Sequence, residues 1–142
     1  MQGPDLLFCY GTLQFDAVLE ALLKRVPERT PSSAPGYRAA ALAGRVYPGL
    51  VRAPDSVASG VLLTDLNYDE WEILDAFEDV RYELREVALS ADKSGWAYIW
   101  RGSDIQEDDW DAEGFQAQHL EGYATRCARI GTRLAAGLPK GE

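Results

Sequence analysis

Leu6 to Tyr10 form an unbroken apolar run ended by Gly11, the pattern of a short strand covered on both faces. Directly after it, Phe15, Val18, Leu19, Leu22 and Leu23 recur at helical spacing. With Asp16 in the first turn and Pro27 closing the segment, they predict a helix from 16 to about 25. Pro27 to Pro35 is rich in Pro and Ser and reads as a surface loop, and Tyr37 to Val46 and Val57 to Leu63 read as strands around a turn at Tyr47-Pro48-Gly49. Trp71, Leu74 and Phe77 restore the helical period over Tyr68 to Asp79, where Asn67 can cap the first turn and Glu70 can reach back to it. Tyr82 to Leu89 and Trp96 to Trp100 predict an antiparallel hairpin turning at Ala91 to Gly95, with Trp96, Tyr98 and Trp100 on one face. An acidic stretch from Asp104 to Asp111 reads as a loop; Tyr123, Cys127, Ile130 and Leu134 then stripe a last helix that Gly137 and Pro139 end.

No internal repeat or low-complexity tract interrupts this pattern, and no linker separates two cores. The prediction is a single α+β domain over residues 1–142: strands clustered in the middle with helices between them, as in a small, mainly antiparallel β-barrel or sheet with flanking helices.

Charge narrows the partners. Lys and Arg total 14 against 23 Asp and Glu, a formal net charge of -9, so phosphate backbones and anionic lipid are repelled on average and neither nucleic acid nor a membrane is expected as a partner. No apolar run approaches the roughly 20 residues needed to cross a bilayer, and Met1 to Tyr10 lacks the basic and apolar regions of an export leader, so a cytoplasmic location is expected. Cys9 and Cys127 are too few for a disulfide scaffold and lack zinc-site spacing, and His119 is the only histidine, which excludes metal sites built on two or three imidazoles. No G-x-S-x-G elbow or G-x-G-x-x-G turn occurs, and Leu50 stands where a P-loop after Gly44 to Gly49 would need Lys.

Two features can carry chemistry. At 100° per residue along the helix over 68 to 79, Glu72, Asp75 and Asp79 share a polar side, whereas Glu78 projects between Trp71 and Leu74 on the stripe that faces the sheet. A carboxylate placed there is a general acid/base candidate with a raised pKa; pairing with Arg81 or Arg85 at the helix end is the structural alternative, and both stay open. The second feature is the strand-to-helix turn Tyr10-Gly11-Thr12-Leu13, where glycine lets the backbone approach a ligand and the free amides suit a small carboxylate. An ordinary tight turn with Thr12 as helix cap is the alternative.

Tyr10-Gly11-Thr12-Leu13, Gly44-Arg45-Val46-Tyr47-Pro48-Gly49 and Leu74-Asp75-Ala76-Phe77-Glu78-Asp79-Val80-Arg81-Tyr82 together resemble the three signature blocks of the gamma-glutamylcyclotransferase-like family, in its avirulence-induced-gene-like branch known from plants. Trp110 to Tyr123 is similar to that branch's entry into the C-terminal helix, so the resemblance runs from about Phe8 to Tyr123. It implies a small barrel with a pocket at its mouth. Tyr10, Gly11, Thr12, Leu13, Gln14 and Phe15 match a loop whose amides hold the α-carboxylate end of a γ-glutamyl group, Glu78 matches the catalytic glutamate, and Tyr82 matches a tyrosine lining the pocket.

The reaction implied is a cyclotransfer: the substrate's α-amino nitrogen attacks its own γ-carbonyl, releasing 5-oxoproline and the amine, with Glu78 as general acid/base and with no metal or nucleotide cofactor. The expected partner is a small γ-glutamyl molecule, and the chain is expected to act as a monomer. Gln14 and Phe15 depart from the broader family's residues and leave the substrate's amine undefined. A binding module for small molecules or γ-glutamyl peptides, with the same pocket and no turnover, is the alternative in another class. Cys9 with His119 is a rival catalytic pair, set against both as packing residues.

Overall fold

A computed structural model of the chain describes residues 6–140; residues 1–5, where the segment read for an export leader begins, lie outside the described residues. Along the chain run β1 (Leu7–Cys9), a 3-10 turn (Thr12–Gln14), α1 (Asp16–Leu23), β2 (Arg29–Leu42), β3 (Gly49–Leu63), α2 (Tyr68–Phe77), β4 (Tyr82–Ala88), β5 (Ser94–Trp100), β6 (Ile105–Asp109), α3 (Ala112–Gln118) and α4 (Leu120–Ala135).

The strands form one mixed sheet in the order β4-β5-β1-β3-β2-β6. Most pairs are antiparallel; β5 runs parallel both to β1, at Leu7 opposite Trp96, and to β3, at Leu50 opposite Ile99. That double pairing shows how the sheet curls. β1 is only three residues long and meets the C-terminal end of β3, so past Tyr10 the bent β3 reaches β5 directly and the sheet closes into a half-barrel.

Alternation in β1 sorts two cores. Leu7 and Cys9 face the helices and pack with Leu19, Leu22, Leu74 and Cys127, while Phe8 and Tyr10 face the barrel interior with Leu50, Leu62, Val87 and Ala97. The central strand is therefore covered on both faces, as its unbroken apolar run predicts. α1 and α4 cross closely: a Cβ added at Gly131 would lie 2.7 Å from the Leu22 carbonyl oxygen.

Two predicted loops are strands. The Pro- and Ser-rich segment belongs to β2 from Arg29 onward, paired with β3 in unbroken register from Arg29↔Leu63 to Pro35↔Val57. β6 joins β2 only near Ala40 and Leu42, so the proline-bearing half of β2 is a sheet edge, where a missing N–H breaks no ladder bond. A register shift between Pro35 and Tyr37, at Gly36 with φ +84°, then re-aims the strand. β3 begins at Gly49 rather than Val57. The acidic stretch forms β6, exposed throughout, which pairs with β2 at Ala40↔Asp109 and Leu42↔Ile105 while Arg38 donates to the carbonyls of Gln106, Glu107 and Asp108 and to the Asp109 carboxylate. Charged side chains on such an edge discourage pairing with another chain.

The β4–β5 hairpin is antiparallel from Tyr82↔Trp100 to Ala88↔Ser94, and its turn holds Ala91 and Asp92 at positive φ. At the start of α2, the Glu70 N–H donates to Asn67 Oδ1 at 2.8 Å and the Asn67 N–H to Glu70 Oε1 at 3.1 Å, the reciprocal cap that the sequence predicts. No helix among the described residues is long and apolar enough to cross a membrane.

Candidate active site

α2 stops at Phe77, and Glu78 has extended backbone, with φ -69° and ψ 150°. The stop has a local cause. The Asp79 carboxylate accepts the Arg81 N–H at 2.9 Å and the Asp79 carbonyl accepts the Tyr82 N–H at 3.0 Å, which turns the chain into β4. Glu78 therefore sits just past the helix, and helical periodicity does not set its direction. The turn aims its side chain into a cavity whose walls include Cys9 to Leu13 from the end of β1, Pro48, Tyr82 and Tyr98.

No described residue hydrogen-bonds the Glu78 carboxyl. Its neighbouring arginines are engaged elsewhere, Arg81 with Asp79 and Arg85 with Glu83, so the ion pair weighed for Glu78 does not form. Burial away from water pushes its pKa up to about 8; the Lys140 ammonium opposes that rise, and Asp75 and Asp79 add to it. A carboxyl of this kind can hold or release a proton near neutral pH.

Asp79 behaves oppositely. Burial disfavours its charge, but the Arg81 N–H, the Tyr47 hydroxyl and the Arg81 guanidinium together hold the carboxyl below its ordinary value. Tyr47 Oη donates to Asp79 Oδ2 at 2.9 Å and so ties the turn before β3 to the turn after α2 across the cavity. Asp79 is thus part of the cavity wall and does not lie on a free polar face, as the helical projection has it.

The cavity has two adjoining chambers, an inner and an outer, whose walls share Thr12, Tyr47, Glu78 and Tyr82. The inner holds about 30 Å³, and the outer, about 230 Å³, adds Phe77, Asp79, Tyr123, Arg126, Ile130 and Lys140. Burial raises the pKa of Tyr10, Tyr82, Tyr98 and Tyr123, so all four remain hydroxyls. Three are fixed by donation: Tyr10 to the Tyr98 carbonyl at 2.6 Å, Tyr82 to the Pro48 carbonyl at 2.6 Å, and Tyr98 to Asp75 at 3.1 Å.

The residues of the turn divide. Tyr10, Gly11, Thr12 and Leu13 line the inner chamber beside Glu78, as does Tyr82. The first return bond of the 3-10 turn runs from the Gln14 N–H to the Gly11 carbonyl, so the Thr12 and Leu13 amides have no partner within the turn. Thr12 does not cap α1; its hydroxyl lies 3.4 Å from the Tyr123 hydroxyl. Gln14 and Phe15 do not line the cavity: Gln14 Nε2 folds back onto the Tyr10 carbonyl at 2.9 Å, and Phe15 packs against Trp110 and Phe115. Cys9 and His119 line separate cavities, so the rival pair is not brought together. The sequence reading missed Tyr47, Tyr98 and Asp79 as wall residues, although Tyr47 and Asp79 lie within the signature blocks; nothing in the local pattern marks Arg126 or Lys140.

A family model described as "Gamma-glutamyl cyclotransferase, AIG2-like" matches residues 7–114, the segment that builds the inner chamber and Glu78. The chain belongs to that family. Among relatives of AIG2-like type from Arabidopsis thaliana, AIG2-like protein D is 33% identical over 144 residues, covering 96% of this chain and 93% of the relative. AIG2-like protein C is 31% identical over 126 residues, covering 84% and 73%. A solution structure of an Arabidopsis thaliana protein superposes with a TM-score of 0.67 at 27% identity, covering 86% of this chain and 87% of that one. A structure described as a gamma-glutamyl cyclotransferase superposes at 0.55 with 15% identity, covering 73% and 69%, and shares the fold. Arg126 and Lys140 fall beyond the segment that the AIG2-like family model matches.

Proposed function

We propose that this AIG2-like protein is a gamma-glutamylcyclotransferase that converts a γ-glutamyl amine or amide into 5-oxoproline and the free amine. The observation that carries this reading is Glu78: a carboxyl with no hydrogen-bond partner among the described residues, with its pKa pushed up to about 8, in the same chamber as the amides of the Gly11 turn.

The substrate's α-ammonium enters beside Glu78, and its positive charge draws the carboxyl into the ionised form that accepts a proton. The freed α-nitrogen attacks the γ-carbonyl carbon, the ring C–N bond forms, and the bond from that carbon to the departing nitrogen breaks. Of the three α-ammonium protons one stays on the ring nitrogen, Glu78 delivers one to the departing nitrogen, and the third ends on the released ammonium; no water is consumed. Proton transfer of this kind contributes about 10²- to 10⁴-fold, and holding the substrate folded for ring closure contributes further. The Thr12 and Leu13 amides supply donors for the substrate's carboxylate or for the oxyanion of ring closure. The Tyr10, Tyr82 and Tyr98 hydroxyls are fixed to protein acceptors and shape the chamber without titrating. We place the reaction in the cytoplasm, carried out by a single chain without metal or nucleotide.

The test is incubation of the folded protein with a panel of γ-glutamyl amines, amides and dipeptides. Release of 5-oxoproline from at least one is expected. Binding of γ-glutamyl ligands that survive long incubation unchanged would instead identify a binding module.

A further inference from the structure

Glu78 follows directly on the last residue of α2, and the end of a helix disfavours a carboxylate. The carbonyls of the last turn have no partner within the helix and carry the negative end of its dipole. α2 has no basic residue in its last turn. The charged groups that it and the following turn bring there are Asp75 and Asp79, and both disfavour the Glu78 charge. The compensating charge comes from another part of the chain. Lys140 Nζ donates to the Phe77 carbonyl at 2.8 Å and lies 5.9 Å from the Phe77 ring centre, so it caps α2 from outside the helix.

That bond acts on the peptide that carries Glu78. The Phe77 carbonyl and the Glu78 N–H belong to one planar peptide group. Its N–H donates to the Leu74 carbonyl at 3.1 Å and its carbonyl accepts from Lys140, so the group is held at both ends. Lys140 is itself braced. Gly137, at φ +79°, turns the chain back at the end of α4, where the Leu138 N–H donates to the Arg133 carbonyl at 2.9 Å. Arg133 Nε then donates to the Pro139 carbonyl at 2.8 Å, which fixes the residue before Lys140. The ammonium arrives at the outer chamber from this braced segment, and Glu78 lines the same chamber.

The other groups around Glu78 do not replace it. Burial raises the pKa of Tyr10, Tyr47, Tyr82, Tyr98 and Tyr123 and of Cys9 and Cys127, so they stay uncharged near neutral pH. Asp79 is bound by Arg81 and Tyr47, and Asp75 accepts the Tyr98 hydroxyl. Arg126, the other cation lining the outer chamber, stands over the Tyr123 ring at 5.6 Å.

We infer that Lys140 is a positioning residue for Glu78: it clamps the peptide that carries the carboxyl and holds an ammonium at the chamber that the carboxyl faces. Its charge offsets the helix end and the two aspartates, so that Glu78 can ionise near neutral pH. The consequence for turnover rests on the cyclotransferase reading, in which Glu78 must ionise to accept a proton. The effect on the carboxyl itself does not.

The experiment follows the carboxyl ¹³C resonance of Glu78, assigned by its absence from the Glu78→Gln spectrum, from pH 6 to pH 10 in the wild type, Lys140→Met and Lys140→Arg. Met keeps the apolar stem without the charge or the donor, and Arg keeps both. Glu78 should titrate near 8 in the wild type, about one pH unit higher in Lys140→Met, and close to the wild-type value again in Lys140→Arg. One unit is a tenfold change in the ionised fraction. Below the midpoint, kcat/KM for a γ-glutamyl substrate should therefore fall about tenfold in Lys140→Met, recover toward pH 10, and be restored by Lys140→Arg. An unmoved midpoint in Lys140→Met overturns the proposal. So does an equal shift in both variants, which would make packing rather than charge the cause. A loss of kcat/KM by one factor at every pH, with the midpoint unmoved, would place Lys140 on the substrate and overturn it as well. If no γ-glutamyl substrate yields 5-oxoproline the cyclotransferase reading fails by itself, and the carboxyl titration still decides the role of Lys140.

Discussion

Replacing Glu78 by Gln keeps the size of the side chain and removes its charge, which separates two consequences of burying a carboxyl in the inner chamber. In the unfolded chain the group ionises near 4.5, and in the folded protein near 8. Below pH 4.5 it carries its proton in both states, so pH does not alter the gap between wild type and variant. As pH rises from 4.5 to 8 the unfolded chain gives up the proton while the folded chain retains it, so wild-type stability falls relative to the variant; above about 8 the difference is constant. At about 1.4 kcal/mol for each pH unit the span sets an upper limit of about 5 kcal/mol. Water on the open side of the cavity lowers it, so Glu78→Gln should gain about 2 to 5 kcal/mol over wild type between pH 4.5 and pH 8. Urea unfolding of both proteins at pH 4.5, 6 and 8 reads this directly; the change with pH carries the test, because groups common to both proteins cancel. Release of 5-oxoproline should meanwhile fall by about two to four orders of magnitude. A stability difference that does not change with pH would refute the uncharged carboxyl, and near-normal turnover would refute the proton shuttle.

With Glu78 as the base, kcat/KM should rise with pH until about 8, and a flat profile from pH 5 to 8 would count against that role. Asp79→Asn should lower stability by about 1 to 2 kcal/mol and impair turnover, because it weakens the Arg81 bonds that hold the turn and the Tyr47 bond across the cavity; Glu72→Gln, on the exposed face of α2, is the neutral control. In Gly11→Ala the new Cβ would lie 2.8 Å from Pro48 Cγ, so thermal denaturation should show a loss of about 1 to 3 kcal/mol, and the displaced turn should raise KM for any γ-glutamyl substrate. Glu70→Gln should cost about 2 to 3 kcal/mol in denaturant unfolding without changing kcat, since Glu70 is buried, bonds two Arg25 nitrogens and caps α2, yet lies outside both chambers.

The sequence by itself determined whatever is held by neighbours along the chain. The unbroken run at Leu6 to Tyr10 specified a strand buried on both faces, Asn67 and Glu70 specified the start of α2 through bonds three residues apart, and the spacing of Tyr82 to Trp100 specified the hairpin. The three signature blocks were legible as a family for the same reason: each is a short contiguous stretch. Tertiary structure decided the rest. The proline-bearing half of β2 reads as a loop until the sheet makes it an edge, and β6 is a strand because its backbone pairs with β2, whose Arg38 also gathers its carbonyls. Glu78 was singled out as a carboxyl facing the protein interior, but its direction comes from the Asp79 turn after α2 rather than from the helical projection. The chamber around it assembles β1, the Tyr47 turn, β4 and α4, whose residues lie tens of positions apart. Periodicity encodes which face of an element is apolar; it does not encode which elements meet, because that follows from the curl of β3, which lets β5 pair with both β1 and β3.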